Sequence, residues 1–459
     1  MKYIEKYKNK KVLVLGLARS GVSAAQLLHK LGALVTVNDY KVFEDNPEAQ
    51  QLLDQGIRVV TGGHPIELLD EDFFIVVKNP GINYENPIVK KTIENKIPVI
   101  TEIQLAYEIA ECPIIGITGT NGKTTTTSMV TDLLNSNRKE GRAYAAGNIG
   151  TPASLVGTEV SSKDDIVMEL SSFQLLGITS FRPHIAIITN IFSAHLDYHG
   201  TREEYVAAKM NIMRNQTEAD YLIVNWDLPE LRELVKGSRA TIIPFSRKQV
   251  IENGVYLKDN TIFFKGELIM QRESILVPGN HNVENALAAI AVAKLYNKSN
   301  DTIKNTFLNF SGVEYRTQYI GEYKKRRFYN DSKATNTLAT ITALNGFSAP
   351  IILLAGGLDR GNDFDDLIPH LKNVKALVVF GETSPKLTKT GEEAGVKTII
   401  SAGSVEKAVP ISYQLSEEGD IILLSPACAS WDQYRNFEKR GEAFTKAVQL
   451  EIKKQEEEV

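Results

Sequence analysis

Short apolar runs recur along the chain, each followed by glycine, proline or polar residues and then by a stretch whose apolar positions repeat every three or four residues. That alternation predicts strands feeding helices, and so mostly parallel sheets in open α/β units. Residues 11–17 read as a strand, 18–21 as a turn, 22–31 as a helix and 34–38 as a second strand; runs at 57–60, 73–77 and 98–100 continue the pattern to about Ala110. A second unit opens at Pro113, with strands at 114–118, 166–169, 185–189 and 221–224. Between 241 and 276 the β segments shorten, with examples at 254–257 and 261–264, which predicts a small antiparallel insertion before a closing helix over 283–295. A third unit starts near Gly312, with strands at 328–330, 351–354, 376–380 and 421–424, and ends in a helix over 438–459 that frays into a charged tail. The expected class is α/β, in three domains spanning 1–110, 111–312 and 313–459.

A chain of 459 residues exceeds one ordinary core, which suits three domains. With 43% hydrophobic and 24% charged residues it has the balance of a folded globular protein. A formal net charge of -4 offers no basic excess for nucleic acid, so an anionic ligand has to be held by local groups. No stretch approaches the roughly 20 apolar residues that span a bilayer. Residues 1–11 alternate lysines with isolated apolar positions and lack the apolar core of a secretory signal. Cys112 and Cys428 are too few for a disulfide framework and too far apart for a CxxC site. A cytoplasmic monomer, bound to neither membrane nor nucleic acid, is expected.

Residues 116–124 read Gly-Ile-Thr-Gly-Thr-Asn-Gly-Lys-Thr, between an apolar strand and a helical stretch. Glycines let successive N–H groups face phosphate oxygens, the helix N-terminus adds favourable potential, Lys123 supplies a cation and Thr124 a hydroxyl for Mg²⁺. Ile117 stands where the general GxxxxGK[ST] pattern has its first glycine, and an ordinary glycine-rich turn is the competing reading. Glu169 ends an apolar strand, where position alone suggests a solvated acid. His195 and His199 crowd the segment 189–200, whose composition leaves any metal undecided. Lys209 reads as a surface lysine, and Asn280 or Asn282 as a helix N-cap. The turn Gly16-Leu-Ala-Arg-Ser-Gly21 is close to GxGxxG but has Ala18 at the middle glycine, with Asp39 at the strand end that meets a ribose in dinucleotide folds.

Thr118-Gly-Thr-Asn-Gly-Lys-Thr-Thr125 resembles the ATP loop of the Mur ligases and folylpolyglutamate synthetases. The segment 189–200, the YxxAK pattern at 205–209, the DSKATN segment at 331–336 and the stretch 424–441 (LSPACASWDQYRNFEKRG) extend the similarity to the Mur ligase family, and the last two point to D-glutamate as the amino acid added. The resemblance implies a Rossmann-like N-terminal domain, a central P-loop ATPase-type domain and a Rossmann-like C-terminal domain. It implies ATP-dependent joining of D-glutamate to UDP-N-acetylmuramoyl-L-alanine through an acyl phosphate, a step of peptidoglycan precursor synthesis and so of cell shape and division. Lys123, Glu169, His195, Lys209 and Lys333 are then catalytic. ATP falls to Gly119, Thr120, Asn121, Gly122, Lys123, Thr124, Thr125, Asn282, Arg316 and Asp331. Two Mg²⁺ ions fall to Thr124, Glu169, His195 and Lys209, the lysine after carbamylation by CO₂. The UDP-linked substrate falls to Ser20, Asp39, Gly81 and Asn148, and D-glutamate to Thr335, Arg360, Ser430 and Phe437. Arg360 stands where some members carry lysine; the charge survives and the geometry changes. The base for the amine proton stays open, with His195 considered and metal binding competing for it.

Three rival readings are a folate or other peptide ligase on the same ATP core, a nucleotide-binding regulator without ligase activity, and a nicotinamide oxidoreductase resting on the defective glycine fingerprint.

Overall fold

The computed structural model describes residues 1–457, so the last two positions of the predicted C-terminal tail lie outside the described residues. The chain divides into two compact units, Met1–Arg272 with Glu284–Thr306, and Glu273–Val283 with everything from Phe307 onward.

The first unit holds two sheets. One consists of β1 (Lys11–Leu15), β2 (Leu34–Asp39), β3 (Arg58–Thr61), β4 (Ile75–Lys78) and β5 (Val99–Ile100), all parallel, in the order β3-β2-β1-β4-β5. Its central strand shows why the sequence reads as an unbroken apolar run: Val12 and Val14 enter one core while Leu13 and Leu15 enter another on the opposite face. The order reverses between β1 and β4, and at such a switch point the loops after the two strands diverge to leave a crevice at the C-terminal edge.

The other sheet holds β6 (Ile114–Thr118), β7 (Ala143–Gly147), β8 (Asp165–Glu169), β9 (Ile185–Ile188), β10 (Tyr221–Asn225), β11 (Thr241–Ser246), β12 (Val255–Lys258), β13 (Thr261–Phe264) and β14 (Glu267–Gln271), in the order β14-β13-β12-β11-β10-β9-β6-β8-β7. The antiparallel insertion is smaller than expected. β11 and β12 still pair in parallel, and only β12-β13-β14 form an antiparallel ribbon. β7, Ala-Tyr-Ala-Ala-Gly, was not foreseen because its composition carries almost no strand propensity; pairing with β8 makes it a strand. The two sheets are joined by packed helices. Ser23 and Ser154 share a 2.7 Å hydroxyl hydrogen bond, and the buried Glu102 carboxyl accepts from the Ser154 N–H.

The second unit carries β15 (Gln318–Tyr323), β16 (Arg326–Asn330), β17 (Ile351–Gly356), β18 (Val374–Phe380), β19 (Thr398–Gly403) and β20 (Ile421–Leu424), ordered β15-β16-β20-β17-β18-β19. All neighbours are parallel except the edge pair β15-β16. Along β17, Ile351, Leu353 and Ala355 face one core and Ile352 and Leu354 the other. β15 and β19 were not foreseen; both lie at sheet edges, are only partly buried and so lack long apolar runs. The C-terminal helix begins at Phe437.

Two helix starts differ from expectation. The first helix begins at Arg19, inside the expected turn. The helix Asn280–Leu295 already includes Asn280 and Asn282, so neither precedes it as an N-cap; Asn282 instead donates its side-chain amide to the Pro278 carbonyl at 2.7 Å.

Candidate active site

In the first unit the loop after β6 turns sharply into the helix Lys123–Asn135. Gly122, at φ 80°, is the residue before the helix, and a Cβ there would run into the Asn285 side chain. Gly119 is equally constrained, since a Cβ would overlap the Thr189 hydroxyl. The loop is held from outside by the residues after β9. Asn190 accepts the Thr120 N–H on its carbonyl (3.0 Å) and the Asn121 N–H on its side chain (2.9 Å), while Thr189 donates to the Asn121 carbonyl (2.7 Å). Thr120 shares a 2.9 Å hydroxyl bond with Tyr205. These brackets fix the loop before any phosphate arrives, as preorganised anion binding requires.

Two lysines converge on this loop. Lys123 donates to the carbonyls of Gly119 (3.0 Å) and Thr120 (2.9 Å). Lys209, 2% exposed, donates to the same Gly119 carbonyl at 2.8 Å. Burial pulls the Lys209 ammonium down to about 7, the charge of Lys123 pushes the same way, and Glu169 opposes both. Lys209 is therefore no surface lysine, because its helix Arg202–Met210 turns that face inward. Glu169, at the end of β8, is also buried: Oε1 accepts from Asn148 (2.7 Å), and Oε2 has no partner. A buried carboxylate oxygen left open beside two lysines fits a cation that would bridge it to phosphate, and Mg²⁺ is commonly held by a carboxylate plus phosphate oxygens and water. Thr124 lies half-buried on the first turn of the loop helix.

Of the expected metal ligands, Glu169 and His195 are the two of the usual His, Cys, Asp or Glu kind, and Thr124 and Lys209 complete the set. Among the described residues no three His, Cys, Asp or Glu side chains converge. His195 is exposed, at the left-handed residue (φ 54°) that opens the short helix Leu196–His199, with its ring against Phe173 at 5.1 Å. His199 behaves differently: it is buried and bonded to Ser172 at 2.9 Å, and burial together with the charges of His195 and Lys209 pulls its pKa down.

Of the residues expected at the UDP-linked substrate, the switch point of the first sheet unites two. Asn79 donates to the Ser20 hydroxyl (3.2 Å) and accepts the Gly81 N–H (3.1 Å). Asp39 lies at the same sheet edge, its carboxylate accepting the N–H groups of Leu17 (2.7 Å) and Lys41 (2.9 Å). Asn148 donates its side-chain amide to Glu169 Oε1 at 2.7 Å.

In the second unit, Asp331 follows β16 and accepts from Ser425 (2.7 Å) and the Thr317 N–H (2.9 Å). Burial raises its pKa to about 7 against those bonds. Lys333 lies over the Phe437 ring at 5.1 Å, and Phe437 meets Tyr315 edge-on at 6.1 Å. Arg360 lies over the exposed Trp431 ring at 4.7 Å. Ser430 is 1% exposed and its hydroxyl has no partner. Leaving it so costs about 1–3 kcal/mol, a cost that a bound ligand would offset. Asn282 is buried and Thr335 half-buried within this unit, and Arg316 is exposed on it.

The residue that organises this region was missed from sequence. Arg440 is fully buried and donates to Ser332 (2.8 Å to its carbonyl), Gly356 (3.3 Å) and Cys428 (2.9 Å), tying together the loops that carry Lys333, Arg360 and Ser430. Burial lowers its pKa to about 10. On a charged helix nothing distinguishes it from its neighbours; only its inward register does. Asn190 and Tyr205 were likewise present in recognised segments without an assigned role.

A strand–loop–helix cradle with two lysines and an open acid, set in a mostly parallel sheet, is the architecture of a phosphate-handling enzyme, and the family matches specify which. Residues 10–101 match the Mur ligase MurD-like N-terminal domain, 117–293 the Mur ligase middle domain and 315–428 the Mur ligase glutamate ligase domain. The chain belongs to the Mur ligase family. Among individual relatives it is 62% identical over 450 residues to the UDP-N-acetylmuramoylalanine--D-glutamate ligase of Enterococcus faecalis, covering 98% of both chains. It is 58% identical over 458 residues to the enzyme of the same name from Lactiplantibacillus plantarum, covering 100% of both. Two solved structures share the fold: Thermotoga maritima MurC (18% identity, TM-score 0.56, 96% of this chain and 100% of that one) and Thermotoga maritima MurF in complex with ADP (17%, 0.54, 99% and 98%). No helix among the described residues is long and apolar enough to cross a membrane.

Proposed function

We propose that this chain joins D-glutamate to UDP-N-acetylmuramoyl-L-alanine at the expense of ATP, releasing ADP and phosphate, as a step of peptidoglycan precursor synthesis. The observation that carries the reading is the buried Glu169 carboxylate with an open oxygen, set beside a glycine loop on which Lys123 and Lys209 converge. The full-length identity to D-glutamate ligases supplies the substrates.

The carboxylate of the muramoyl-bound L-alanine attacks the γ-phosphate of ATP, giving an acyl phosphate and ADP. The D-glutamate amine then attacks the acyl carbon, loses a proton, and phosphate leaves from the tetrahedral intermediate. The N–H groups of residues 119–125 and Lys123 hold the phosphates in the geometry of transfer. Mg²⁺ bound by Glu169 and Thr124 would neutralise charge that gathers on the transferring phosphoryl group. With its pKa near 7 the Lys209 amine is largely uncharged at mildly alkaline pH and can add CO₂: an N–C bond forms, a proton leaves, and an anionic carbamate oxygen results. His195, exposed at the mouth of the loop, is a further ligand in this reading. In the second unit, Arg360 and Lys333 supply cations for the carboxylates of D-glutamate and for the phosphoryl group, the open Ser430 hydroxyl supplies a hydrogen bond, and Phe437 and Thr335 shape the pocket. The chain acts in this reading as a cytoplasmic monomer.

Phosphate release from ATP, measured across a panel of UDP-muramoyl acceptors with D- and L-amino acids, tests the reading. Release that requires both UDP-N-acetylmuramoyl-L-alanine and D-glutamate is expected. Release with a folate acceptor, or turnover independent of any acceptor, rejects it.

A further inference from the structure

Lys78 is among the largest completely buried side chains of the protein, at 0% exposed, and no function described so far uses it. It ends β4, directly before the turn Asn79-Pro80-Gly81-Ile82. Its ammonium donates to the carbonyls of Ile82 (2.6 Å), Asn79 (3.2 Å) and Pro80 (3.4 Å) and to the Tyr198 hydroxyl (3.2 Å), and lies over the Tyr84 ring at 4.6 Å. Among the described residues no carboxylate pairs with it. Burying an ammonium against neutral groups alone is costly, and burial is the cause that pulls its pKa down to about 7. An apolar residue would fill the space at less cost, so stability does not explain the lysine.

The contacts join two places. The turn on one side carries Asn79, whose side chain accepts the Gly81 N–H and donates to Ser20 at the sheet's switch point. On the other side, Tyr198 also bonds the carbonyls of Ile82 (2.9 Å) and Pro80 (3.1 Å), and it packs on Phe173 at 4.4 Å, whose ring touches His195. The N–H groups of Gly81 and Ile82 are already donated to the Asn79 side chain and carbonyl, and Pro80 has none, so drawing the carbonyls inward locks the turn's backbone and with it the position of Asn79 and Gly81.

We propose that Lys78 is a positioning residue for the UDP-linked substrate: its buried amino group gathers the carbonyls of the 79–82 turn and, through Tyr198, ties that turn to the short helix that follows His195. The proposal rests on the reading that this turn receives the UDP-linked substrate.

Lys78→Met keeps the chain length and removes the charge and the donors. For this variant KM for the UDP-linked substrate should rise about tenfold while KM for ATP and for D-glutamate stays within about twofold. The melting temperature should hold or rise, since a desolvated charge has gone. Tyr198→Phe removes one hydroxyl and should shift the same KM less, and in the double variant it should add little to the effect of Lys78→Met. If Lys78→Met does not fold, Tyr198→Phe alone decides by the same KM pattern. No change in that KM, or a loss of stability with all three constants worsening together, overturns the proposal. Gly81→Leu separates the two levels, since a Cβ at Gly81 meets only the Asn79 Oδ1, at 3.6 Å. If Gly81→Leu raises the KM and Lys78→Met does not, Lys78 is a structural peg and the turn keeps its role. If neither does, the reading of the turn falls, and the proposal with it.

Discussion

Two turns of the first unit follow one plan and differ in charge. The turn after β1 and the loop after β6 each leave the C-terminal end of a parallel strand through glycines at positive φ (Gly16 at 96°, Gly119 at 151°) and enter a helix, and each helix N-terminus favours an anion. Each also has a buried lysine nearby with its pKa pulled to about 7, Lys78 at the turn that partners the first and Lys209 on the second. Around Lys209 stand a second lysine and a carboxylate with an open oxygen, a set that leaves charge and an acceptor open to a ligand. Around Lys78 stand only carbonyls, a hydroxyl and aromatic rings, a set already complete. One backbone device thus leaves charges open in one place and closes them in the other.

The largest effect expected is at the second loop. Lys123→Ala should lower kcat/KM by about 10³-fold or more, because charge stabilisation in the transition state is lost; an effect below tenfold would erase the contrast with the first turn. Lys209→Met should cost about 10²-fold, and protein equilibrated with ¹³C-bicarbonate should show a carbamate resonance that the variant lacks. Ser430→Ala, in the other unit, should raise KM for D-glutamate about ten- to a hundredfold with KM for ATP unchanged, the value of one hydrogen bond to a charged ligand.

The smallest effect is a pH dependence. Lys78 titrates at about 7 in the fold and at 10.5 in the unfolded chain, so between those values the unfolded chain holds the extra proton and rising pH favours the fold. The facing tyrosines stay protonated there, since burial raises Tyr84 to about 12 and Tyr198 further. Melting curves of wild type and Lys78→Met should therefore converge, wild type gaining, from about pH 7 to about pH 10, with a constant gap below about pH 6. A gap that is flat throughout would mean that the buried amine is not strained.

The phosphate loop was legible because its requirement is local: glycines, a lysine and a threonine next to each other between a strand and a helix. Glu169 was legible only through family resemblance, since a strand-end acid is ordinarily solvated; β8 being covered on both faces makes it buried. Asn148, expected along the channel of the UDP-linked substrate, also donates to Glu169, a partnership 21 residues apart that no spacing rule announces.

The sequence by itself determined the α/β alternation, the phosphate loop and the family, because periodicity and short motifs are properties of neighbours along the chain. Tertiary structure alone decided which lysines are buried, which acid keeps an open oxygen and that Arg440 binds three loops together. Desolvation and hydrogen-bond geometry depend on what folds over a residue, and for Lys78, Lys209 and Arg440 the covering groups come from distant segments.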